Sequence, residues 1–158
     1  MRAPVLFPLA LAALIAAPAA HAQSARAAAT VIMPEDPAAL AFQTGVGFAD
    51  AIVTGDTIYL SGVVAAPTPG ETSLAPAYDR AFVRLAGVLE RSGASWDDVI
   101  DITTFHTDLA GQINTFAEVK NRYVKAPFPT WTAIGIAALY EPTAVVEIKL
   151  VAKRRAVR

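Results

Sequence analysis

Thr130-Trp131-Thr132-Ala133-Ile134-Gly135-Ile136-Ala137-Ala138, followed after a turn at Tyr140-Glu141-Pro142-Thr143 by Ala144-Val145-Val146-Glu147-Ile148-Lys149-Leu150-Val151-Ala152, reads as two β-strands within the stretch Pro127 to Ala152. Side chains alternate across a strand, so Thr132, Ile134 and Ile136 share one face of the first, and Trp131, Ala133, Gly135 and Ala137 share the other. A tryptophan heads a stripe of small residues. In the second strand Val145, Glu147, Lys149 and Val151 lie opposite Val146, Ile148 and Leu150, which leaves Glu147 as a lone acid in an apolar run.

Working upstream, Phe48 to Val53 and Thr57 to Val64 are strand patterns separated by Thr54-Gly55-Asp56, residues that tolerate a hairpin turn. Pro67, Pro69 and Gly70 make a loop. Pro76 then opens a helix whose Tyr78, Phe82, Leu85, Val88 and Leu89 follow helical spacing until Gly93 ends it. Val99 to Thr107 is a further strand, with Ile100, Ile102 and Thr104 alternating against Asp101, Thr103 and Phe105. Gln112 to Val124 is a second helix with Ile113, Phe116, Ala117 and Tyr123 or Val124 on one face. The order ββαβαββ predicts an α+β domain, an antiparallel-dominated sheet with both helices on one face. The uncovered face, carrying Val145, Val151, Ala133 and Ala137, calls for a partner surface.

The ends read differently. Met1-Arg2, the apolar run Val5 to Ala17, the Pro18 break and the triplet Ala20-His21-Ala22 have the form of a secretory signal peptide over 1–22, cut after Ala22. The run is shorter than the roughly 20 apolar residues that span a bilayer, which disfavours an uncleaved anchor. Removing 22 of the 158 residues leaves 136, one domain's worth, expected to be periplasmic or secreted and free of the membrane. Residues 23–44, rich in alanine and proline, read as a linker or N-terminal arm, 45–153 as the domain, and 154–158 as a basic tail.

Composition removes several chemistries. With no cysteine there is no disulfide, thiol nucleophile or zinc-thiolate site. Of the two histidines His21 lies in the signal segment, so His106 stands alone and no histidine pair has metal-ligand spacing. No metal or cofactor is expected. Formal charge is −1, and the Lys153, Arg154, Arg155 and Arg158 tail lacks a basic face with aromatics, which argues against nucleic acid as a partner.

Four pieces together carry a resemblance: Gly47-Phe48-Ala49-Asp50-Ala51 running into Ile58-Tyr59-Leu60-Ser61-Gly62, then Phe105-His106-Thr107-Asp108, then the Pro129 to Leu139 strand, then Val145-Val146-Glu147-Ile148. From about Phe48 to Ala152 the chain resembles the Rid family of imine/enamine deaminases, also called YjgF/YER057c/UK114. The resemblance implies a chorismate mutase-like fold, a homotrimer packed through the bare sheet faces, and a small-molecule cleft at each subunit junction. In members that hydrolyse imines, an arginine clamps the substrate carboxylate, a glutamate positions water, and a tyrosine and an asparagine complete the cleft.

Here the arginine position is Trp131, the tyrosine position Phe48 and the asparagine position Phe116 or Ala117, so only Glu147 keeps the polar set. The expectation is an uncharged or partly apolar ligand bound by Phe48, Phe116, Ala117 and Trp131, without standard 2-imino acid deaminase activity. The alternative is a deaminase of altered range using Glu147 and water. Each residue also has a plain reading: Trp131 as packing, Glu147 paired with Lys149 or a partner's cation, His106 as a satisfied core histidine, and Ser61 with no base to activate it. The ribonuclease activity ascribed to some family members fits poorly with a net acidic chain.

Overall fold

Strand alternation at the C-terminal end organises the molecule, because Val146, Ile148, Leu150 and Ala152 are all buried while Glu147, Lys149, Val151 and Lys153 point to the other side. The computed structural model describes residues 24–154. Along the chain these form β1 (Thr30–Ile32), α1 (Pro37–Val46), β2 (Ala51–Thr54), β3 (Thr57–Leu60), β4 (Val63–Ala65), α2 (Ala75–Arg91), a 3₁₀ turn (Trp96–Asp98), β5 (Val99–His106), α3 (Leu109–Tyr123), β6 (Thr130–Gly135) and β7 (Val146–Lys153). The ββαβαββ core is present as β2, β3, α2, β5, α3, β6 and β7.

One seven-stranded sheet runs β1-β2-β3-β7-β5-β6, with β4 also on β7. Its centre is β7, antiparallel to β5 on one side and to β3 and β4 on the other. The two strands of the C-terminal stretch, consecutive in sequence, are not neighbours in the sheet. β6 does not pair with β7; it runs parallel to β5 at the sheet edge, and β5 separates the two. A parallel neighbour needs a crossover, and α3 supplies it.

That pairing also corrects a face. Trp131 is registered with Ile102 and Ala133 with Thr104, and these in turn with Leu150 and Ile148, so Trp131 and Ala133 lie on the helix-covered side. The open side instead presents Ile134, Phe105, Glu147, Lys149, Tyr59 and Val151. A register shift between Val99 and Asp101 turns Ile100 outward, so it does not share the buried face of Ile102.

Helix α2 buries Tyr78, Phe82, Leu85 and Leu89 at spacings of three and four, the stripe that the sheet requires. Against them α3 sets Phe116, whose ring lies 5.3 Å from Tyr78, 5.6 Å from Phe82 and 5.1 Å from His106. Aromatic pairs at these separations add to simple burial.

The segment 23–44, expected as a linker or arm, contains β1 and most of α1. Asp36 caps that helix by accepting from the Ala39 N–H at 2.8 Å, Pro37 occupies its first turn, and Gly47 ends it at φ 91°, a conformation glycine adopts without strain. Buried Asp50 fastens it to the body. Its carboxylate accepts from Gln43 of α1 at 2.8 Å and from Arg91 of α2 at 2.7 Å. The signal peptide reading, and most of the basic tail, fall on residues outside those described.

Candidate functional site

Two cavities flank the sheet, and they divide the expected site residues between them. The larger, about 550 Å³, opens on the uncovered face and is lined by Phe48, Tyr59, Ser61, Gly62, Glu147 and Lys149 among others. Glu147 enters it because the chain breaks between β3 and β4 at Ser61-Gly62, leaving room beside the backbone. A Cβ added to Gly62 would stand 1.8 Å from Glu147 Oε1 and 2.6 Å from its Cδ, so the carboxylate rests directly over that glycine. Among the described residues Glu147 has neither a hydrogen-bond nor an ion-pair partner, Lys149 included. An unengaged carboxylate in a cavity is available to orient water or a ligand N–H.

Gly62→Ala therefore has a specific expected outcome. Gly62 is outside the left-handed region, so the alanine backbone is acceptable and only the Cβ collides. The collision reaches back to Glu147 Cγ at 2.8 Å, so the side chain must leave its χ1 rotamer and swing away, costing about 1 kcal/mol while moving the carboxylate out of the cavity. A crystal structure of the variant with Glu147 unmoved would contradict this.

Ser61 is not a nucleophile in waiting: its hydroxyl donates to the Ala49 carbonyl at 2.6 Å. Phe48 lacks a hydroxyl, yet Tyr59, half exposed on the same face, brings one into the same cavity. Tyr59 was legible as the outward residue between Ile58 and Leu60.

The second cavity, about 270 Å³, lies at the β6 and α3 edge and is lined by Ile102, Ala117, Lys120, Asn121, Phe128, Pro129 and Trp131. Ala117 is one of its lining residues. Phe116 is not: it is 0% exposed and belongs to the core, because α3 turns it toward Phe82 and Tyr78. The residue one turn further on, Lys120, is buried at 7% exposure, its ammonium 4.6 Å from the Trp131 ring centroid and donating to Asn121 Oδ1 at 2.9 Å. Burial pushes its pKa down from the ordinary lysine value.

Trp131 is both packing residue and cavity wall. Its indole N–H donates to Thr104 Oγ1 at 3.0 Å, and Thr104 Oγ1 lies 2.9 Å from His106 Nε2. With Gln112 Oε1 3.2 Å from Nδ1, the ring carries its proton on Nδ1 and accepts from Thr104 at Nε2; the Gln112 amide in turn donates to Thr107 Oγ1 at 3.2 Å. His106 is thus fully buried and satisfied, as its plain reading had it.

The chain has a pH consequence. Burial holds the His106 pKa below the usual 6.5, because the charged ring would lose its hydration, and the Gln112 hydrogen bond offsets only part of that. As pH falls through that value the unfolded chain takes up a proton that the folded chain refuses. Stability is full above about pH 6.5 and declines below it, with a slope approaching 1.4 kcal/mol per pH unit until the folded pKa is reached. Urea denaturation at pH 7.5 and 5.5 measures the loss, and His106→Asn should flatten it; an unchanged slope in the variant would assign it elsewhere.

Among the described residues no group of three His, Cys, Asp or Glu could hold a metal ion, and no helix is long and apolar enough to cross a membrane.

Comparison with known proteins bears on this arrangement. Residues 38–154 match the family described as Endoribonuclease L-PSP. The chain belongs to that family, the Rid or YjgF/YER057c/UK114 family. Within it, the chain is 37% identical over 95 residues to the RutC family protein YjgH of Escherichia coli K12, covering 58% of this chain and 72% of that one. It is 29% identical over 96 residues to a 2-iminobutanoate/2-iminopropanoate deaminase of Dermatophagoides farinae, covering 58% and 74%. The solved structure of protein YJGH superposes with a TM-score of 0.69 at 32% identity, covering 81% of this chain and 98% of that chain. Rv2704 of Mycobacterium tuberculosis, a YjgF/YER057c/UK114 family member, shares the fold at a TM-score of 0.68 and 22% identity, covering 79% and 98%.

Proposed function

We propose that this Rid-family chain is an exported homotrimer that binds a small molecule in a cleft between subunits, without standard 2-imino acid deaminase activity. One observation carries the reading. Glu147 and Trp131 border separate cavities on opposite faces of one sheet, so a single cleft containing both needs two copies. The edge formed by β6 and α3 of one copy would lie against the open face of its neighbour. Phe128 at 71% exposure and Ile134 at 40% on that edge, with Tyr59 at 50% on the open face, are apolar surface that such packing removes from water.

Light scattering at micromolar concentration tests the assembly, with a trimer expected; a stable monomer would sink the shared cleft. Mass spectrometry of exported protein should find Gln23 as the first residue.

The reading of a deaminase with altered range is favoured by one feature, the unengaged Glu147 carboxylate over Gly62, and by the named activity of the Dermatophagoides relative. Turnover of any imine that falls at least tenfold in Glu147→Gln would move the assignment there.

A further inference from the structure

Among the chain's lysines, Lys120 alone is buried: it is nearly sealed from water, whereas Lys125, Lys149 and Lys153 are exposed. Among the described residues no carboxylate pairs with it, while Lys153 has Asp56. Burying an ammonium without a counter-charge favours the neutral amine, and the Trp131 ring face, 4.6 Å from Nζ, offsets only part of that. The cavity it lines, about 270 Å³, is walled otherwise by Ile102, Ala117, Phe128, Pro129 and Trp131, with Asn121 as its other polar side chain. A neutral amine keeps one N–H for Asn121 Oδ1, at 2.9 Å, and holds a lone pair free to attack. A lysine desolvated in an apolar pocket is a nucleophile toward carbonyl compounds.

We propose that Lys120 is a Schiff-base lysine that captures small uncharged aldehydes with an apolar or aromatic body. The amine nitrogen bonds to the carbonyl carbon, the C=O bond breaks, and the two amine hydrogens leave with the carbonyl oxygen as water; nothing is oxidised or reduced. Asn121, whose own oxygen is spent on Lys120, has its amide N–H pair to donate to that departing oxygen. The body of the aldehyde lies on Phe128 and Pro129, with room for about one ring. Once the amine is neutral this wall contains no fixed cation, so it selects an uncharged carbonyl compound. Every group belongs to one copy, and the proposal therefore goes beyond the shared cleft and does not depend on it.

Reductive trapping tests the assignment. The full chain is incubated at pH 7 with benzaldehyde and cyanoborohydride, and the alkylation rate of each lysine is read by peptide mass spectrometry. Exposure alone would make Lys120 the slowest of the lysines. The proposal makes it the fastest, by about tenfold or more, because an ordinary lysine with a pKa of about 10.4 is almost wholly protonated at that pH. As pH is raised, Lys120 labelling should level off before that of the others. Pyrenecarboxaldehyde, too broad for the cavity, should leave Lys120 the slowest, and unfolding in urea should erase its advantage. A Lys120 rate no greater than the others with benzaldehyde, an advantage that survives urea, or one that pyrenecarboxaldehyde shares overturns the proposal. The comparison is made within the wild-type chain, so no variant has to fold. Light scattering on the same samples keeps the two readings apart: a monomer with Lys120 fastest overturns the shared cleft alone, and a trimer with Lys120 slowest overturns the Schiff-base lysine alone.

Discussion

Phe116→Ala is expected to lower the free energy of unfolding by about 3–5 kcal/mol, the range for removing a buried phenylalanine and leaving a cavity. Its ring is 0% exposed and lies within 6 Å of four others, Tyr78 at 5.3 Å, Phe82 at 5.6 Å, His106 at 5.1 Å and Trp131 at 5.9 Å. None of these can collapse into the void without leaving its own contacts, since His106 is held by Gln112 and Thr104, and Trp131 by Thr104. At roughly 2–4 °C per kcal/mol for a domain of this size, the melting temperature should fall by about 6–20 °C. Urea denaturation with an unchanged slope is the measurement. A near-neutral Phe116→Ala that instead altered ligand affinity would return the residue to the cleft.

The misplacement of Phe116 shows where sequence reading reached its limit. Helical spacing found Phe116 and Val124 on the buried side of α3 but not Gln112, Val119 or Lys120, because a helix that packs on two sides has no sharp boundary between core and cavity wall. Lys120 carried a usable signal: it stands four positions after Phe116, on the face that must be buried, and a lysine there is either a snorkelling stem or a recognition group. The strands behaved similarly. Period-two alternation identified β5, β6 and β7 and the residues sharing each face, but alternation within a strand does not say which strand lies beside it. The two strands follow one another in sequence, but β5 intervenes between them in the sheet, and with it the parity that puts Trp131 and Glu147 on opposite sides.

The N-terminal arm had a readable start as well. Asp36 followed by Pro37 is a helix cap and first turn in sequence form, and Gly47 supplies the stop; alanine-rich composition obscured them. By contrast the tie from Arg91 to Asp50 was not legible, because nothing in a single sequence joins residues 41 positions apart.

Hydrolysis of 2-aminoacrylate, the species released by serine dehydration, is expected to be at least tenfold to a hundredfold slower with this protein than with a relative bearing the cleft arginine. A guanidinium that clamps a carboxylate makes two parallel charge-assisted hydrogen bonds, each worth about 1.5–3 kcal/mol. At about 1.4 kcal/mol per decade, losing one of them accounts for that factor, and losing both for more. Lys120 does not restore it. A lysine is a point charge on a flexible stem, and it holds a carboxylate without fixing the rotation that would align the imine carbon with a water on Glu147. Trp131→Arg should not rescue the rate either. The indole it removes fills space beside Phe116 and donates to Thr104, so an arginine there would meet the aromatic core and the like charge of Lys120 at once. A coupled assay settles the matter, with a dehydratase generating 2-aminoacrylate and keto-acid release followed with and without the protein. Acceleration equal to that of an arginine-bearing relative would refute the expectation and make Glu147, over Gly62, the catalytic group of a working deaminase.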